Sequence, residues 1–256
     1  MVRKQYFHPI ILLQTIDTTW FRLVEYLGIF AFSISGLVIA YQNSSTLFGA
    51  FIFAMLPSIG GSIIRDALFQ RDPEWALKSP IYLCIIIITV LIGHLILRLY
   101  DFYRYRSRKE QVVAAETMLK RKRIFSNVLM LCDGLGLAAL TVSGVIACVV
   151  VQIEPLWLWG GFFAFLNSAG GGILRDLLSQ NGKISALNSN TIYPEIAVIW
   201  GIILSIFITY QSTNLDPDPL RYGVFITIIG AFATRIILHY LKIPNIYFGR
   251  YRKTLN

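Results

Sequence analysis

Gly60-Gly61-Ser62-Ile63-Ile64-Arg65-Asp66-Ala67-Leu68 and Gly170-Gly171-Gly172-Ile173-Leu174-Arg175-Asp176-Leu177-Leu178 are two copies of one pattern. In each, a glycine cluster is followed at a fixed distance by an Arg-Asp pair. Each copy also has a matching block upstream. Leu27-Gly28-Ile29-Phe30-Ala31-Phe32-Ser33-Ile34-Ser35-Gly36 aligns without gaps on Leu135-Gly136-Leu137-Ala138-Ala139-Leu140-Thr141-Val142-Ser143-Gly144, with five of ten positions identical. Just before these blocks, Glu25 aligns with Asp133. The offset is 108 residues in the upstream block and 110 in the glycine block. The chain is therefore a duplication, with two residues inserted between the blocks of the second copy.

Both copies lie in apolar surroundings. From Tyr26 to Ile64 there is no Asp, Glu, Lys or Arg. A membrane span needs about 20 apolar residues, and the polar run Gln42-Asn43-Ser44-Ser45-Thr46 divides this stretch in two. The same reading predicts seven spans, at 24–41, 47–69, 81–97, 128–153, 155–178, 192–210 and 222–241. Their apolar runs are continuous, so they are helices rather than the alternating strands of a barrel. The 256 residues are 55% hydrophobic and 14% charged, against about 25% charged in a soluble domain. That composition excludes an ordinary soluble enzyme, a disordered chain and a disulfide scaffold. The three cysteines, Cys84, Cys132 and Cys148, all sit inside apolar runs and match no metal or disulfide spacing.

The expected fold class is thus all-α: a polytopic membrane protein of two three-helix repeats plus a C-terminal helix. An odd number of spans per repeat inverts the second copy in the membrane, which predicts a pseudo-twofold axis in the membrane plane. The expected organisation is an interfacial segment at 1–23 anchored by Trp20 and Phe21, repeat 1 at 24–99 and a basic linker at 100–127. Repeat 2 follows at 128–211, then helix 7 at 212–241 and a tail at 242–256.

The net charge of +9 is distributed by side. The loop between helices 3 and 4, Lys183 and the tail carry fourteen Lys or Arg; the opposite side carries Arg3, Lys4, Arg22, Arg71, Lys78 and Arg221. This places the C-terminus in the cytoplasm and the N-terminus outside. The basic loop is then a topological signal rather than a nucleic-acid surface, and a possible contact for anionic lipid.

The glycines and charges inside the spans carry the functional reading. Glycine costs a helix about 1 kcal/mol relative to Ala, and Pro57 removes an N–H. One reading is close helix packing. The other, favoured because the feature recurs in both repeats, is a pair of broken helices lining a cavity or pore, whose freed carbonyls can hold a monovalent cation. Ser58, Gly60, Gly61, Ser62, Asn167, Ser168, Gly170, Gly171 and Gly172 are the candidate pore residues. On this reading Gly171→Leu blocks flux and leaves the folded oligomer intact. Arg65, Asp66, Arg175 and Asp176 each cost about 2.5–3.5 kcal/mol at a membrane centre unless paired or wet. Adjacent helical residues point about 100° apart, so the expected pairs are Arg65 with Asp176 and Arg175 with Asp66, across the pseudo-twofold axis. Glu25 and Asp133 are competing partners. A structural clamp and a barrier-setting role in permeation are compatible. Ser35 and Ser143 are polar neighbours on the partner helices. His94 reads as a satisfied buried histidine, and Arg235 and His239 share one face of helix 7.

Catalytic signatures such as a phosphate loop, a zinc-protease helix or a nucleophile elbow are missing from the sequence. The chain reads as a non-enzyme with no cofactor and no metal beyond a permeating cation. A secondary transporter of a small zwitterion such as glycine would need the same helix break, and a non-conducting lipid-binding scaffold is a third class.

The doubled Ser-Gly helix followed by Gly-Gly-(Gly/Ser)-x-x-Arg-Asp, in a seven-helix chain with inverted repeats, resembles the trimeric intracellular cation (TRIC) channel family. The closest pattern is its prokaryotic branch, which overlaps a family of proteins described as glycine transporters. The resemblance covers about residues 24–241. It implies a homotrimer in a prokaryotic inner membrane, with a K+- or Na+-permeable pathway in each protomer lined by kinked helices 2 and 5, and bound lipid in some relatives. Ser62 in place of a third glycine, and Pro57 before it, depart from the pattern and imply two unlike half-kinks.

Overall fold

The structure, a computed structural model, describes residues 19–70, 80–106, 113–179, 192–211 and 218–241, with side chains described except at 103–122 and 218. Within these residues the chain forms seven long helices: α1 Thr19–Gln42, α2 Leu47–Leu68, α3 Pro80–Arg106, α4 Val113–Val151, α5 Leu156–Leu178, α6 Pro194–Tyr210 and α7 Asp218–Leu241. Five of them are long and apolar enough to cross a membrane, by length and composition; α6 is apolar but only 17 residues long. The remaining helix, α5, owes its lower hydropathy to glycines, Asn167, Arg175 and Asp176, nearly all of which are buried against neighbouring helices.

α4 and α5 form the centre, and α3 and α7 the rim. The most apolar window of α4 is 83% buried, that of α3 only 17%. Leu, Ile and Phe side chains stand exposed along α3, α6 and α7, as expected of surfaces that face lipid rather than water. One cluster of buried apolar side chains joins α1, α2 and α3 around Ile29, Ala54 and Ile86. Two others join α4, α5, α6 and α7 with single residues of α1, Phe21 and Phe32.

The duplication is visible in the contacts. α1 and α4 cross with small residues at matched positions: a Cβ on Gly28 would press on Ala139, and one on Gly136 on the Phe32 ring. Early residues of one helix meet late residues of the other, so the two run antiparallel, as inverted copies must. A Cβ on Gly36 would strike the backbone of Phe53 and Ala54, and one on the equivalent Gly144 the backbone of Phe163 and Ala164. Both α1 and α4 also end on a non-glycine residue in the left-handed region, Ser44 at φ 52° and Gln152 at φ 57°. In each case the next N–H bonds five residues back, Ser45 to Ala40 O at 3.0 Å and Ile153 to Cys148 O at 3.1 Å. This is the Schellman closure, made twice without the usual glycine.

Several boundaries move from the sequence reading. α1 starts at Thr19, and Phe21 is buried against α4, so Phe21 is a core residue rather than an interfacial anchor. The expected linker at 100–127 shortens from both sides, because α3 runs on to Arg106 and α4 begins at Val113. Cys84 is exposed on α3, while Cys148 is buried. Residues 1–18, Arg71, Lys78, Lys183 and the tail at 242–256 lie outside the described residues.

Candidate functional site

The site begins where α2 crosses α5. Pro57 has no N–H to give to the preceding turn, and α2 answers with a π turn over Leu56–Gly60 before continuing as α-helix from Gly61. α5 is an unbroken α-helix straight through Gly170, Gly171 and Gly172. The glycine-broken pair expected from sequence is therefore one π turn and one intact helix. The glycines are there for contact: a Cβ on Gly61 would overlap the carbonyl oxygen of Asn167, and one on Gly171 would overlap that of Leu56 and stand 3.0 Å from Pro57 Cα. Backbone meets backbone, and the two approaches are mirror copies. The tertiary contact outweighs the helix-propensity cost of about 1 kcal/mol per glycine.

Two charged clusters flank this crossing. In the first, Arg65 Nε and Nη2 both lie 2.8 Å from Asp66 Oδ1. Arg65 Nη1 donates to Asn167 Oδ1 at 3.1 Å and weakly to Ser143 Oγ at 3.4 Å. Ser143 Oγ donates to Glu25 Oε1 and Tyr82 Oη to Glu25 Oε2, each at 2.8 Å. In the second cluster, Arg175 Nε lies 3.0 Å from Asp176 Oδ1, and its Nη1 lies 3.0 Å from Asp133 Oδ1. Ser35 Oγ donates to Asp133 and accepts from Arg175. Each serine thus hands its proton to the acid of the other repeat. Glu25 and Ser35 are ten residues apart on α1, about 15 Å along its axis, so the clusters sit nearly three turns apart on one helix.

Asn167 ties the first cluster to the crossing. Its Nδ2 donates to Leu140 O at 2.7 Å, while its Oδ1 accepts from Ser62 Oγ at 2.8 Å and from Arg65. Ser58 Oγ donates back to Ala54 O, and Ser168 Oγ to Ala164 O, at 2.7 Å each. These are the helix-internal bonds of buried serines.

A family model described as Glycine transporter matches residues 22–98 and 130–209, one stretch for each repeat. The chain belongs to that glycine transporter family. Its relatives are described as membrane proteins. A UPF0126 membrane protein of Vibrio cholerae is 26% identical over 216 residues, covering 84% of this chain and 78% of the relative. The UPF0126 inner membrane protein YadS of Escherichia coli is 23% identical over 221 residues, covering 86% and 93%. The fold is that of TRIC channels. A structure described under conductance through TRIC cation channels superposes with a TM-score of 0.65 at 22% identity, over 90% of this chain and 98% of that one. The TRIC orthologue from Rhodobacter sphaeroides gives 0.63 at 19% identity, over 87% and 99%. The TRIC resemblance read from the doubled Arg-Asp block therefore holds.

Within this family fold, the expected pairing needs correction. Arg65 does not bridge Asp176, nor Arg175 Asp66; each arginine folds back on its own neighbour in sequence. A Cβ direction does not bind a guanidinium held on a long flexible stem. What crosses between the repeats is the serine contact. Asp133, named as a competitor, is a direct partner of Arg175. His94 is exposed rather than buried. It lines an open groove of about 410 Å³ with Tyr41, Arg98 and Asp101.

Tyr82 and Tyr193 escaped the sequence reading, and so did the contact that Arg235 makes. Tyr193 packs at the head of α6, and its Oη lies 3.6 Å from where a Cβ on Gly172 would be. Arg235 of α7 is buried over the Tyr193 ring at 4.8 Å and donates to Ile192 O at 2.8 Å. Tyr82 and Tyr193 hold matched places, near the start of the third helix of each repeat. Extending the repeat alignment by one helix would have found them.

Proposed function

We propose that this protein is a homotrimeric, potassium-permeable cation channel, with one ion pathway in each protomer between α2 and α5. The observation that carries this reading is the likeness to TRIC cation channel structures over nearly the whole chain. The geometry supports it. Two polar, charged clusters stand at either end of a crossing whose walls are glycine backbone, so a small separation of α2 and α5 would open a path between them. That path would be lined by the carbonyls of Leu56, Leu166 and Asn167, the oxygens that now face Gly61 and Gly171. Arg65 and Arg175, each neutralised by its own aspartate, would keep the two mouths from repelling cations. Ser58 and Ser168 would line the flanks of the crossing. The excess of basic residues in the helix 3–4 loop and the tail supports a cytoplasmic C-terminus and an external N-terminus, with anionic lipid on the cytoplasmic side. The role is transport rather than catalysis.

The family description makes glycine uptake the competing reading. Purified protein in liposomes separates the two. Rapid rubidium tracer uptake down a potassium gradient, without labelled glycine uptake, is the expected result. Saturable glycine uptake coupled to an ion gradient, with little rubidium leak, would replace the channel by a transporter.

A further inference from the structure

The two charged clusters are copies, yet they differ at three places, and all three differences make the Arg65 cluster the better host for a cation. The first is charge. Asp133 and Asp176 share the buried Arg175, and a second buried arginine, Arg235 of α7, which belongs to neither repeat, stands beside that cluster over the Tyr193 ring. In the first cluster Arg65 is the one buried cation among the described residues; it pairs with Asp66, while Glu25 is held by Ser143 and Tyr82. Asp66 Oδ2 is buried there with no hydrogen-bond partner among the described residues. The second difference is Ser62, whose counterpart is Gly172. The third is Tyr82, which is bonded to Glu25, whereas the Tyr193 hydroxyl makes no hydrogen bond among the described residues and lies against Gly172.

Beside the Arg65 cluster is a cavity of about 30 Å³ whose polar wall is Glu25, Ser62, Arg65, Tyr82 and Ser143. That is room for a small ion or one or two waters. The hydroxyl protons on this wall are all committed elsewhere. Tyr82 Oη and Ser143 Oγ give theirs to Glu25, and Ser62 Oγ gives its proton to Asn167 Oδ1. A hydroxyl has one proton and two lone pairs, so these three oxygens can offer the cavity only lone pairs. Arg65 Nη1 claims one of them, on Ser143, in a weak 3.4 Å contact, and also reaches Asn167 and the Ser143 carbonyl, while Nε and Nη2 turn to Asp66.

We propose that this cavity binds one alkali cation, held by the Glu25 carboxylate and the hydroxyl oxygens of Ser62, Tyr82 and Ser143. The Arg175 cluster, with Arg235 and Gly172 in place, does not. One carboxylate among neutral oxygens suits a monovalent ion; among the described residues no group of three His, Cys, Asp or Glu could hold a metal ion. The site rests on the channel reading only for its place on the pathway, since binding is measured without flux.

The test is thermal unfolding of the detergent-purified full chain, titrated with KCl, RbCl or NaCl against N-methylglucamine chloride at constant ionic strength. A ligand that binds only the folded state raises its melting temperature. The expected result is a saturable rise with each alkali cation. Glu25→Gln removes the charge at nearly the same shape, keeps an acceptor for one of the two hydroxyls, and weakens the midpoint by about tenfold or more. Ser62→Gly, which copies the second repeat, weakens it as well and carries the test if Glu25→Gln does not fold. No saturable cation effect in the unmodified protein, or an unchanged midpoint in the variants that fold, would overturn the site. Rubidium flux in the same preparations separates the two ideas. Flux with cation-insensitive melting overturns the site and leaves the channel; saturable binding without flux overturns the channel and leaves the site.

Discussion

Gly171→Leu yields no folded protein, and Gly171→Ala is already destabilised by about 1–3 kcal/mol, the range for overpacking a filled interior. The cause is the partner atom. A Cβ at Gly171 meets the Leu56 carbonyl oxygen and Pro57 Cα, and backbone at the centre of a helix crossing cannot swing aside as a side-chain tip can. The mirror substitution Gly61→Ala meets the carbonyl oxygens of Asn167 and Leu166 and fails for the same reason. Two neighbouring glycines are the controls. Gly60→Ala would sit 3.6 Å from Gly171 Cα, and Gly172→Ala 3.6 Å from Tyr193 Oη, both ordinary contacts, so both should melt close to the unmodified protein. Size-exclusion profiles and melting curves in detergent check the series. A monodisperse Gly171→Leu with an unchanged melting temperature would restore the sequence-based expectation that this position lines open space. The close approach instead makes Gly171→Leu uninformative about flux.

Arg175→Ala is the second severe substitution, with an expected loss of about 3–5 kcal/mol, as when one partner of a buried ion pair is removed. Arg175 is 2% exposed and is shared by Asp133 and Asp176, themselves 6% and 4% exposed. Removing it takes from both buried carboxylates the guanidinium they share. Arg175→Lys restores the charge but not the fork that reaches both acids and Ser35, so its recovery is partial. The double variant Arg175→Ala/Asp133→Asn should recover part of the loss. Arg175→Ala/Asp66→Asn should recover none, because Asp66 belongs to Arg65 at the other cluster. Recovery by the Asp66 change instead would bring back the pairing across the repeats. Melting curves of the four variants decide between them.

What could be read from residues, and what could not, divides along physical lines. The duplication, the all-helical class and the inverted arrangement follow from two gapless blocks and an odd span count, which are properties of chain order. The contact made by Gly61 and Gly171 was one of two readings of the same glycines. Propensity argued for a break, whereas the packed neighbour helix holds α5 straight through three glycines. The Arg-Asp pairing failed because helical geometry fixes where a Cβ points, not where a long guanidinium ends. The left-handed closures at Ser44 and Gln152 carry no glycine to announce them. Phe21 and His94 exchanged places, core for surface, because hydropathy alone does not say which face of a membrane helix meets protein. Arg235 was legible as an intramembrane charge, but its partner Tyr193 lies at the head of a different helix.

The most direct test of the central claim is single-channel recording from the purified protein in a planar bilayer under a KCl gradient. The account predicts unitary current steps that reverse near the potassium equilibrium potential. Bilayers that contain the protein yet show no unitary steps, or currents that reverse near the chloride potential, would contradict a cation pathway between α2 and α5.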